Sequence, residues 1–184
     1  MNGSSRITKE AVKWTLLLLV TMLLTVQLNI PAMAAGQTHT YYKGVPKEGV
    51  ALADSVAQGI AASIMSNPAY TTDLAKVNAA AAAVASYASA GVYGVDSNKF
   101  YKSPYGVFVT GNYTCAGTTR ALGRVLDYMG YPYIHMNENQ WHHQWNVLIM
   151  DGQTGFADGM GGYAGYGDYA SGMTLSDGTM VVFQ

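Results

Sequence analysis

A single cysteine, Cys115, means that no disulfide can form within this chain. Charged residues make up only 11% of the sequence, against about 25% in typical domains. The formal net charge is −1, so there is no electrostatic case for nucleic acid as a partner. Neither a Cys-x-x-Cys nor a His-x-x-x-His pair occurs, and adjacent histidines on a strand point to opposite faces, which argues against zinc. The apolar run at 14–24 is short for a membrane span, which needs roughly 20 residues.

That run has another reading. Arg6, Lys9 and Lys13 precede it and Ala32-Met33-Ala34 follows, the layout of a secretory signal over 1–34 with cleavage after Ala34. A retained N-terminal anchor is the alternative, and cleavage would leave no stable membrane insertion. Either way the expected location is secreted or cell-surface. Residues 35–184 are a length that suits one domain with a sizeable core. In an exported protein a lone thiol invites oxidation or pairing with another chain, so its presence needs a reason.

Along the mature chain, 35–48 reads as a linker and 49–184 as the domain, with a catalytic core at 103–159. Ala53, Val56, Ala57, Ile60, Ala61 and Ile64 mark an amphipathic helix over 50–66, stopped by Asn67-Pro68. A second helix is expected over 72–90, capped by Thr71 or Thr72 and ended by Gly91. Residues 105–109 read as a short strand, and 133–136 as another. The Gly- and Tyr-dense stretch 160–177 reads as a loop, or as a flap presenting aromatic surface over a cleft. Residues 180–183 are expected to close the sheet.

Between these elements lies the chemistry. Leu122, Val125, Leu126 and Met129 recur at helical spacing. Thr114 or Asn112 is placed to cap this helix, and Gly130 followed by Tyr131-Pro132 ends it. Cys115 therefore falls in the first turn, where unpaired N–H groups and the helix dipole favour a thiolate and can hold an oxyanion. A small buried core residue is the competing reading of such a cysteine. Tyr113 beside it either lines the site or simply packs.

Over 141–150 the odd positions, Trp141, His143, Trp145, Val147 and Ile149, form the more apolar set. His143 is thus expected to point toward the core and His142 away. Asp151-Gly152 reads as the centre of a type I′ hairpin turn. Counting back from Met150 opposite Gln153 sets Asn146 opposite Ala157. Asp158 then becomes the diagonal neighbour of His143, within side-chain reach and able to orient the imidazole. A solvated acid beside the turn is the alternative, and a one-residue slip would undo the pairing.

Thr114-Cys115-Ala116-Gly117 opening a helix, the strand 143–147, the Asp151-Gly152 turn and Phe156-Ala157-Asp158 together resemble the transglutaminase-like superfamily. The interval of 15 residues from His143 to Asp158 is similar to that of its short bacterial members. The resemblance covers 103–159. It implies a papain-like α+β fold, helices packed on an antiparallel sheet with the nucleophile at a helix N-terminus. It also implies Cys115 as nucleophile, His143 as general base and acid, and Asp158 as orienting carboxylate. Gln144 and Gly159 depart from the usual residues at their positions, which bears on pocket shape and substrate choice.

The expected function is a secreted cysteine-dependent acyl-transfer enzyme acting on amide bonds, a peptidase, amidase or protein-glutamine transglutaminase. It would act on a protein, peptide or cell-wall peptide and need neither metal nor organic cofactor. The other reading is a non-catalytic extracellular binding module on the same scaffold, with the Gly/Tyr-rich tail as its recognition surface. Both place the informative residues around Cys115.

Overall fold

The computed structural model describes residues 41–94, 100–136 and 143–169, together with the backbone of 171–174 and 180–183. The signal over 1–34, His142 and Trp141 lie outside the described residues. Among the described residues three α-helices carry the fold: α1 (Lys47–Met65), α2 (Asp73–Ser89) and α3 (Cys115–Met129). They pack on a four-stranded antiparallel meander, β3 (Tyr133–Met136), β4 (Trp145–Met150), β5 (Gln153–Asp158) and β6 (Tyr163–Tyr166), in that order. Two-residue strands β1 (Val92–Tyr93) and β2 (Asn112–Tyr113) pair in parallel beside it. The arrangement is α+β.

The segment read as a linker is partly built into the domain. Tyr41 is buried, and its hydroxyl bonds Asp127 and the hydroxyl of Tyr133. Tyr42 donates to Asp54 at 2.6 Å, and Arg124 grips the same carboxylate through two nitrogens at 2.7 and 3.0 Å. These polar anchors hold residues 41–42 against α1 and α3. The helix α1 then starts at Lys47, directly after Pro46.

The helices bury small side chains. In α1 the buried stripe is Gly49, Ala53, Ala57 and Ala61, closed by Ile64. In α2 it is Val77, Ala80, Ala81, Val84 and Ala88. Small residues every fourth position permit close approach of helix axes. Thr72 caps α2 through Ala75 N–H at 3.1 Å. A second cap comes from far along the chain: the Asp151 carboxylate accepts from Asp73 and Leu74 N–H at 2.9 and 3.0 Å. The hairpin turn is thereby tied to a helix start.

Asp151 and Gly152 have φ of 51° and 77°, as a type I′ turn requires. The pairs Met150 with Gln153 and Asn146 with Ala157 hold as expected. The direction of the faces does not. Asn146, Leu148 and Met150 lie on the helix-facing side and are buried, while Ile149 is 58% exposed. Trp145 and Val147 belong to a second cluster with Phe156, Tyr163 and Tyr169 on the other side of the sheet. Apolar content misled because the outer face also has a partner, whereas the inner face contains a buried Asn.

Three further expectations are corrected. Residues 104–110 form helical turns, not a strand: Ser103 Oγ accepts Gly106 N–H at 3.1 Å and Pro104 opens the turn, a helix-start signature. The segment 160–177 is not a plain loop, since β6 and β7 (Ser171–Thr174) fall within it. Residues Met180–Phe183, β8, pair with β7 in a separate two-stranded sheet and do not extend the meander.

Candidate active site

Cys115 is the first residue of α3, after Thr114 in extended conformation, and Gly130 with φ of 81° ends the helix. Thr114 supplies no side-chain cap. Its carbonyl instead accepts from Gly117 and Thr118 N–H at 2.9 and 3.0 Å, and its N–H donates to Tyr101 O at 3.1 Å. The helix start is therefore fixed against the 3₁₀ turn Phe100–Lys102. A Cβ on Gly117 would lie 2.2 Å from Tyr101 O. Only glycine allows that approach.

His143 and Asp158 sit at one end of the β4–β5 pair. Nε2 of His143 meets Asp158 Oδ2 at 2.9 Å, and the side chains are 12% and 3% exposed. His143 also bonds the Cys115 side chain. The three groups singled out by sequence are thus joined through one imidazole. Asp158 Oδ1 accepts Met160 N–H at 2.8 Å, and its own carbonyl accepts Gly162 N–H at 2.9 Å.

Burial alone would lower the His143 pKa, but its hydrogen bonds with Asp158, which accepts, and with Cys115, and the charges of both, outweigh it, raising it to about 9. Burial likewise pushes the Asp158 carboxyl up. The His143 hydrogen bond and charge and the N–H groups of Gly161 and Met160 more than reverse this, so its pKa lies below the ordinary value. An imidazolium clamped by a carboxylate is the favoured state near neutrality.

Several residues that build this geometry escaped sequence reading. Thr119, one turn after Cys115, donates through Oγ1 to Gln144 O at 2.8 Å, and its carbonyl accepts Asn146 Nδ2 at 3.0 Å. Thr119 and Asn146 are fully buried. Together they stitch the start of β4 to α3 beside His143. Gly159 completes the approach from β5: a Cβ there would fall 2.6 Å from Thr118 O. Its departure from the resembled pattern thus has a packing reason. Gln144 departs too, and its side chain bonds His135 Nε2 at 2.8 Å.

Tyrosines flank the thiol. Tyr93 and Tyr113 meet edge-on at 5.5 Å, and the Tyr93 phenol is shifted upward first by burial and next by the charge of Cys115. Arg120 feels the same charge, while its Nη1 holds the carbonyls of Lys102 and Ala116 at 3.1 and 3.2 Å. Among the described residues, no group of three or more His, Cys, Asp or Glu is arranged to hold a metal ion.

A groove of about 480 Å³ between α1 and α2 is lined by residues including Val56, Ile60, Ile64, Ala83 and Tyr87. It shares no residue with the Cys115 site and gathers no ionisable group except Tyr70 and Tyr87. Its volume is less informative than the convergence of thiol, imidazole and carboxylate. The chain matches no protein-family model and no curated protein.

Proposed function

We propose that this chain is a thiol acyl-transfer enzyme of the transglutaminase-like kind, acting on carboxamide or peptide bonds. One observation carries the reading: a single imidazole bonds Asp158 through Nε2 at 2.9 Å and also bonds a thiol in the first turn of a 15-residue helix. With Nε2 held by the carboxylate, Nδ1 is the nitrogen left to exchange a proton with sulfur. The N-terminal signal pattern supports action at or beyond the cell surface.

In the reactive pair the thiol proton already resides on His143, and the sulfur attacks the carbonyl carbon. First-turn N–H groups of α3 stabilise the oxyanion. Collapse breaks the C–N bond, His143 returns the proton to the leaving amine, and an acyl-thioester remains. Water then hydrolyses it, or an amine captures it, with His143 as base. Asp158 keeps the ring oriented and favours its charged form. Neither metal nor organic cofactor takes part, and protein, peptide or cell-wall peptide amides are the substrate class.

The test is iodoacetamide alkylation of the folded protein across pH. The wild type should react rapidly near pH 6, with His143 protonated beside the sulfur. His143→Ala should lose that reactivity. If both react slowly and alike near pH 6, acyl transfer is excluded and a binding module on this scaffold becomes the reading.

A further inference from the structure

The hydrogen bonding of Asp158 extends beyond His143. Tyr169 donates its hydroxyl to Asp158 Oδ2 at 2.9 Å, the same oxygen that meets His143 Nε2. Tyr169 is buried, and its ring stacks on Trp145 at 4.6 Å and 17° and lies 5.5 Å from the imidazole. Phe156 meets it edge-on at 5.2 Å, and Tyr163 stacks at 6.4 Å and bonds its hydroxyl. The seat depends on Gly161, where a Cβ would lie 2.8 Å from Asp158 Oδ2 and 2.5 Å from the Tyr163 ring. The Gly/Tyr-rich segment therefore delivers a phenol to a carboxylate.

We propose that Tyr169 is a positioning residue for the reaction above. Its ring seals the His143–Asp158 hydrogen bond from water, and its hydroxyl shares Asp158 Oδ2 and so sets how strongly the carboxylate holds the imidazolium. The consequence for rate rests on the acyl-transfer reading; the consequence for His143 does not. A dry, low-dielectric setting strengthens the pair. A competing donor on the same oxygen weakens its pull on the ring. Ring and hydroxyl thus act in opposite senses.

Two substitutions separate them in the full chain, with His143 followed by NMR titration of its ring nitrogens. Tyr169→Ala breaks the seal, and the His143 Nε2–H proton, sealed against Asp158 in the wild type, should exchange with water at least about tenfold faster. Tyr169→Phe keeps the seal and removes the competing donor, so the His143 midpoint should rise. Alkylation of Cys115 at pH 6.5 should slow about tenfold in Tyr169→Ala and stay within about threefold in Tyr169→Phe. In an Asp158→Ala background Tyr169→Phe should not move the His143 midpoint. Unchanged exchange in Tyr169→Ala, no rise in Tyr169→Phe, or a rise that persists without Asp158 would overturn the proposal. Should Tyr169→Ala or Asp158→Ala fail to fold, the Tyr169→Phe midpoint decides alone, a rise supporting the proposal and anything else overturning it. A wild-type thiol inert at pH 6.5 would sink the acyl-transfer reading instead, leaving the His143 titration to judge Tyr169.

Discussion

His143 carries two bonds of unlike consequence, one to a carboxylate and one to a thiol. Acyl transfer needs the ring protonated to supply the leaving amine, so kcat/KM should fall as pH rises through about 9. Asp158→Ala removes the largest favourable contribution to that charge, and this alkaline limb should move down by about one unit or more in the kcat/KM profile. Cys115→Ala should abolish turnover while leaving circular dichroism and thermal melting close to wild type, because the thiol is only partly buried. Activity surviving in that variant would remove Cys115 from the mechanism.

At the scale of elements, the site depends on how closely α3 meets its neighbours. Gly159→Ala would push a methyl into Thr118 O. The expected cost is about 1–3 kcal/mol in urea unfolding, together with slower alkylation as Asp158 is displaced. Asn146→Ala leaves Thr119 O without its buried donor and should cost about 1–3 kcal/mol. In Thr119→Val only the bond to Gln144 O is lost. A His143 midpoint unchanged in both Asn146→Ala and Thr119→Val would show that the stitch stabilises the fold without positioning the ring. Each measurement separates packing from alignment.

For the whole molecule, the two shifted groups set a stability window. His143 is raised in the folded state, so its contribution is complete below about 6.5 and is lost as pH rises through about 9. Asp158 is depressed, so its contribution is present above about 4 and is lost as pH falls through its folded value. Urea midpoints should therefore be flat between roughly pH 4 and 6.5 and decline on both sides, apart from contributions of other groups. A comparison with His143→Ala isolates the alkaline decline, which should largely vanish in that variant.

Much of this arrangement was legible from local chemistry. Helix α3 could be read from the spacing of Leu122, Val125, Leu126 and Met129 and from Gly130, because periodicity and a left-handed stop are properties of the segment itself. The register of β4 on β5 followed from Asp151-Gly152, since a two-residue turn fixes every pair behind it. That register carried Asp158 to His143. The Ser103-Pro104 helix start was also legible, but the apolar run after it was weighed instead.

Other features had no local signal. Which face of β4 meets the helices was decided by what covers each side, and two faces of similar apolar content cannot be ranked without knowing their partners. The cap from Asp151 to α2 spans 78 residues and the bond from Tyr169 to Asp158 joins separate segments. Sequence alone therefore determined the helices, the turn and the three candidate site residues, because these rest on short-range backbone geometry. Only tertiary structure decided that Thr119, Asn146, Gly159 and Tyr169 surround them, because burial and hydrogen bonding between distant segments exist only once the chain has closed.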